Sequence, residues 1–224
     1  MRCGRSIAMP TRPSADHAGP TYHVVNRAIF GQLRYQDFGE YLAYVRLMAA
    51  ILDESPIELF AFCLMPNHVH LLLRTPAEPD MSAFMHRLTM THALRLRGWR
   101  GTRGRGAVYQ SRFRASLVAN DSYFYRAVRY VERNPVRAKF VERVEEWMWS
   151  SASPVSMLQR VTLAPWPLPR PRDWHSYVND LEPQRELDFM RLRAQRREPF
   201  ADPAADVETP AKRAKKVVAV SDDD

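Results

Sequence analysis

The sequence predicts an α+β fold built on a four-stranded antiparallel sheet, and three observations carry that prediction. Four short stretches are rich in β-branched and aromatic residues, either alternating with polar ones or running apolar throughout, as strands do. Two stretches between them place apolar residues at helical spacing, and a third follows the last strand. The resulting order is β-α-β-β-α-β-α, in which the second and third strands are separated only by Pro66-Asn67, a connection short enough to force a hairpin.

From the N-terminal side, TYHVVNRAIF, beginning at Thr21, reads as the first strand. FGEYLAYVRLMAAILDE reads as a helix with Tyr41, Tyr44, Val45, Met48 and Ile51 on one face. IELFAFCLM and HVHLLLRTP are the hairpin strands. MSAFMHRLTMTHALRLR is a long helix for which Gly98 offers a stop, and GTRGRG is a loop. VYQSRFRASLVA supplies the fourth strand, and Asp121 is placed to cap the helix DSYFYRAVRYVERN, which Pro135 ends. The first six elements match the ferredoxin-like, or RRM-like, βαββαβ arrangement, with an added C-terminal helix. A sheet of this kind is expected to leave one face open for a site while helices cover the other.

With 224 residues the chain has room for one domain and extensions. Residues 1–19, rich in Pro, Gly and Ser, are expected to be a disordered leader, and 20–153 the domain itself. Residues 154–200 form a Pro-rich extension in which DWHSYVND and RELDFMRLRAQRRE read as helices, and 201–224, with KRAKK and a final SDDD, read as a disordered tail. No apolar run approaches the ~18 residues of a membrane span, and the first residues lack a signal core. Two cysteines, Cys3 and Cys63, make no disulfide framework, so a reduced, cytoplasmic protein is expected.

Charge points to a partner. The net charge is +8, and the stretch between Asp80 and Asp121 contains eight arginines and no acidic residue. The rest of the chain carries as many bases as acids. A concentrated arginine surface on a neutral body suits a phosphate backbone, because the planar guanidinium bonds phosphate oxygens in pairs and stacks on bases. Arg95, Arg97, Arg100, Arg103, Arg105 and Arg112 are the candidate contacts to such a backbone, with Trp99 either a stacking surface or packed on its own helix; on charge alone a merely solvated basic face is an equal alternative.

His68 and His70 lie one residue apart on a strand, so both project from one face, among apolar neighbours. Unpartnered imidazoles in such a place cost several kcal/mol, and a metal ion is one available partner. A bare pair of this kind is nonetheless more often two hydrogen-bonded structural histidines. In the last helix Tyr130 and Asn134 are four residues apart and share a face beside the apolar stripe of Phe124, Val128 and Val131. A tyrosine there by itself usually just packs its ring.

The strings FCLMPNHVHLLL, YQSRFRASLV and YRAVRYVERNPVRAKFVERVEEWMWSS, taken together, resemble the bacterial REP-associated tyrosine transposases, single-tyrosine members of the HUH superfamily. The resemblance runs from about Thr21 to Ser153. It implies that His68 and His70 are a metal-binding pair, that Tyr130 is the nucleophile, and that Asn134 completes a site for Mg2+ or Mn2+. It further implies a metal-dependent nicking and rejoining of single-stranded DNA at hairpin-forming repeats, through a 5′-phosphotyrosine intermediate, by a monomer or homodimer in the bacterial nucleoid. Three other readings compete: a domesticated protein that binds DNA without transposing, an RNA-binding module on the same sheet, and a phosphodiesterase that uses water. The RNA reading calls for exposed aromatics where the histidine pair stands, and the hydrolytic one for a dispensable Tyr130.

Overall fold

The computed structural model describes residues 19–29, 35–154 and 161–201; residues 1–18 and 202–224, which hold most of the expected leader and tail, lie outside these. The predicted strands form one antiparallel sheet in the order β2-β3-β1-β4, where β1 is Thr21–Arg27, β2 Glu58–Met65, β3 His68–Arg74 and β4 Arg114–Leu117. This is the strand order of the ferredoxin-like arrangement the pattern predicted.

One face is covered by α1 (Phe38–Leu52) and α2 (Glu78–Trp99), with Val24, Leu59, Leu71 and Leu73 packed against Tyr44, Met48, Phe84, Met85 and Leu88. The Asp37 carboxylate starts α1 by accepting from the Glu40 amide at 2.9 Å. The second face is not left open as expected. Over it lie α3 (Asp121–Glu132), α4 (Asn134–Arg137), a 3-10 turn at Val144–Glu146, α5 (Trp174–Asn179) and α6 (Gln184–Arg196). The reason is in β2, which is buried along both faces: Phe60, Cys63 and Met65, with Leu72 of β3, need apolar cover and find it in Phe124, Val128, Val131, Trp174 and Met190. The chain then closes the free edge of β4, where the Phe200 amide donates to Leu117 O at 2.7 Å and the Ala119 amide donates to Phe200 O at 3.3 Å. Among the described residues no helix is long and apolar enough to cross a membrane.

Local boundaries differ from the sequence reading in three places. The fourth strand pairs only over Arg114–Leu117; Val108–Gln110 run beside the end of β1 and residues 111–113 leave the ladder before it resumes. The α3 cap is Asn120, one residue before Asp121, its side chain accepting from the Tyr123 amide at 3.2 Å. Pro135 does not stop the chain from coiling; it sits in the first turn of α4, where a missing amide proton is harmless.

Glu132 illustrates how the second layer is locked. It is 2% exposed, and its two carboxylate oxygens accept from Trp174 Nε1 at 2.9 Å and from Ser151 Oγ at 3.0 Å. Burial raises its pKa despite those donors, so the folded protein holds the proton more tightly than the unfolded chain. Its carboxylate form therefore costs stability that grows as pH rises through the ordinary carboxyl range. Glu132→Gln keeps an acceptor for Trp174 and a donor for Ser151 without the charge. In metal-free buffer it should match the wild-type melting temperature at about pH 4 and exceed it near pH 8, by on the order of 2–4 °C per kcal/mol gained.

Candidate active site

Alternation along β3 turns His68, His70 and Leu72 toward the α3 layer, and the two imidazole centroids lie 4.8 Å apart. His70 is 5% exposed. Burial, with the nearby His68, His23, Arg137 and Arg27, holds its pKa well below the usual histidine range, so it is neutral. Its Nδ1 lies 2.8 Å from His23 Nε2. His68 Nδ1 lies 2.6 Å from Asn67 Oδ1, in the turn between β2 and β3, so Nε2 is the nitrogen His68 would offer to a cation.

The other half of the constellation comes from α3 and α4. Tyr130 is 7% exposed, its ring edge-on to His23 at 5.4 Å and to His70 at 5.8 Å. Burial raises its pKa, and Arg137 is the largest influence in the opposite direction. The Arg137 guanidinium carbon sits 4.4 Å from the Tyr130 ring centroid. The same guanidinium bonds the Tyr130 carbonyl and, at 3.1 Å, the Glu182 carboxylate that precedes α6. Asn134 Nδ2 donates to the carbonyls of Tyr130 at 2.9 Å and Val131 at 3.2 Å, which leaves Oδ1 as the atom of this side chain that could ligate a cation. His68, His70, Tyr130 and Asn134 all line one cleft of about 810 Å³.

Among the described residues no three His, Cys, Asp or Glu side chains cluster as a metal site. The donor set gathered here is instead two imidazoles and one amide oxygen. Two imidazoles with their second nitrogens engaged, beside an amide held by its own donor bonds, fit a divalent ion held weakly, with coordination positions left for phosphate oxygens and water. Glu132 faces the Trp174 side of the layer and takes no part.

The cleft has an arginine wall: Arg27, Arg112, Arg114, Arg137 and Arg191 line it. Of the arginines chosen from sequence only Arg112 is among them, carried there by the excursion of residues 111–113. Arg95, Arg97, Arg100, Arg103 and Arg105 lie at and beyond the end of α2. Arg100 is paired with Glu40, 2.7 Å from Nε to Oε1, and Arg97 bonds Thr102 O at 2.9 Å. Arg95, Arg103 and Arg105 are exposed. Trp99 is 60% exposed and lies over Gly39, where a Cβ would meet its ring at 3.1 Å.

Sequence reasoning passed over His23, Arg137 and Arg191. His23 matches no metal-ligand spacing in the sequence; the strand period, which puts it on the face shared by Val25 and Arg27, is the available signal. Arg137 follows Tyr130 by two helical turns, a spacing that did mark the shared side. Arg191 belongs to α6, whose approach to β4 nothing local announces.

Residues 20–134, just over half of the chain, match the family described as transposase, IS200 like. A protein of Haemophilus influenzae named as a REP-associated tyrosine transposase is 30% identical over 107 residues, 44% of this chain and 61% of that protein. The chain thus spans about three fifths of that relative's length. A solved structure of a REP-associated tyrosine transposase bound to a REP hairpin aligns at a TM-score of 0.48 with 19% identity, covering 65% of this chain and 82% of the other.

Proposed function

Because the chain belongs to the IS200-like transposase family, we propose that it nicks and rejoins single-stranded DNA at hairpin-forming repeats by the HUH single-tyrosine mechanism, with Tyr130 as nucleophile. The observation that supports this most is the meeting of Tyr130 with His68, His70 and Asn134 in one cleft walled by arginines. The name of the Haemophilus relative supports a REP-type repeat as the target.

The Tyr130 oxygen attacks a backbone phosphorus. A phenolic O–P bond forms, the bond to the 3′ oxygen breaks, the phenolic proton is lost to solvent and the departing oxygen is protonated. The strand's new 5′ phosphate stays on Tyr130, and its bond energy is kept for rejoining to a 3′-hydroxyl without ATP. Arg137 holds the Tyr130 ring from its face and offsets the negative charge that grows on the phenol. Arg27, Arg112, Arg114 and Arg191 grip the flanking phosphates, each from a different part of the fold. A Mg2+ or Mn2+ ion held by His68, His70 and Asn134 would supply Lewis acidity at the scissile phosphate.

The test is covalent capture. The chain is incubated with a hairpin oligonucleotide carrying a single-stranded flank, with Mg2+ or with EDTA, and adducts are read on a denaturing gel. An adduct is expected with Mg2+ and none with EDTA, while binding by gel shift changes less than about tenfold, since phosphate contacts come from arginine. Tight hairpin binding with no adduct under either condition favours the domesticated DNA-binding protein. An adduct indifferent to EDTA removes the metal from the mechanism.

A further inference from the structure

His23 stands on β1 opposite Leu72, so it lies diagonally across the ladder from His70 on the same face. The two rings are stacked with centroids 5.1 Å apart, and His23 Nε2 is 2.8 Å from His70 Nδ1. His23 is 1% exposed; Phe200 stacks on it at 5.3 Å and Tyr130 meets it edge-on. Its other nitrogen, Nδ1, is buried without a hydrogen-bond partner. A buried polar atom left unmatched in a well-packed layer calls for an explanation. The neighbouring bond supplies one, because a ligating imidazole has its ring and its proton fixed through the nitrogen that does not touch the metal.

We propose that His23 is a positioning residue for His70: its Nε2 accepts the Nδ1 proton of His70 and so directs the His70 Nε2 lone pair into the cleft, toward a divalent cation. This rests on the reading that His70 is a ligand. The pair has two neutral arrangements. In the one just described, His23 carries its proton on the buried, unmatched Nδ1. In the other, His23 Nε2 donates to His70 Nδ1, and the His70 proton sits on Nε2, where it blocks a cation. Without metal the second is favoured, since it buries an unmatched lone pair in place of an unmatched N–H. Cation binding selects the first, so loading the site shifts one proton on each ring and leaves the charge of the pair unchanged.

The test uses the full chain and Mn2+, with free Mn2+ read by electron paramagnetic resonance, in wild type, His70→Ala, His23→Phe and His23→Gln. Unchanged affinity in His70→Ala removes His70 from the metal site, and the underlying reading fails. With affinity lost in His70→Ala, His23→Phe, which keeps the stack but cannot accept, is expected to bind Mn2+ roughly ten- to a hundredfold more weakly. His23→Gln, whose amide oxygen can accept, should recover part of that loss. Wild-type affinity in His23→Phe overturns the positioning role and leaves that of His70 standing. A second measurement needs no variant: nitrogen-15 long-range correlation spectra of the wild-type imidazoles, with and without Mg2+. The His70 proton should move from Nε2 to Nδ1 on loading, and a His70 that keeps its Nε2 proton at saturating Mg2+ overturns the inference.

Discussion

Tyr130→Phe is expected to reduce covalent adduct formation to background, a loss on the order of 10⁴-fold or more, while the protein still folds and still binds the hairpin. The ring is what packs: its edge contacts to His23, His70 and Phe200 and the guanidinium of Arg137 over its face all survive in phenylalanine. Only the hydroxyl is removed, and that is the atom that must bond to phosphorus. Among the described residues that line the cleft Tyr130 is the one tyrosine, so no neighbour stands ready to replace it. Denaturing gels and gel shifts on the same preparations separate the two readouts. Adducts at the wild-type rate would remove Tyr130 from the chemistry; loss of binding together with adducts would make it a structural residue.

The second large effect concerns Arg137. Its guanidinium reaches Glu182 Oε2 at 3.1 Å, and both side chains are nearly buried, 10% and 5% exposed. Removing one partner of such a pair strands the other, which costs about 3–5 kcal/mol. Arg137→Met should therefore lower the melting temperature by roughly 6–20 °C in a chain of this size. Arg133, 4.0 Å from the same carboxylate, offers only a distant substitute. Adding Glu182→Gln removes the stranded charge and should restore more than half of the lost stability. Adduct formation should stay low in the double variant, because the guanidinium over the Tyr130 ring is gone and with it the largest influence opposing burial of its phenol, which leaves only the weaker ones of Arg191 and Arg27. Thermal melts and capture assays on the four members of the cycle decide the matter. Recovery of both stability and adducts in the double variant would make Arg137 a purely structural residue.

These two effects live on different levels of the sequence. The helical period placed Tyr130 and Asn134 on one side and the strand period placed His68 and His70 on one face, but those periods fit a packed tyrosine and structural histidines equally well; the resemblance to the transposases singled the four out. The order β2-β3-β1-β4 was likewise legible, since a hairpin at Pro66-Asn67 and alternating elements leave few ways to pair four strands. Of the arginines that wall the cleft the sequence reading names only Arg112, for a physical reason. Arg95 to Arg105 were grouped by closeness along the chain, whereas Arg27, Arg114 and Arg191 gather from three elements brought together by packing.

By itself the sequence determined the periodic elements, their order and the face on which each candidate side chain stands, because those depend on dihedral geometry within a few residues. Tertiary structure decided that His23 meets His70, that Glu182 and Arg137 frame Tyr130, and that the C-terminal segment reaching Phe200 packs into the same layer. Such contacts arise when apolar strand faces such as Phe60, Cys63 and Met65 must be covered, and the segment that covers them brings its polar side chains along.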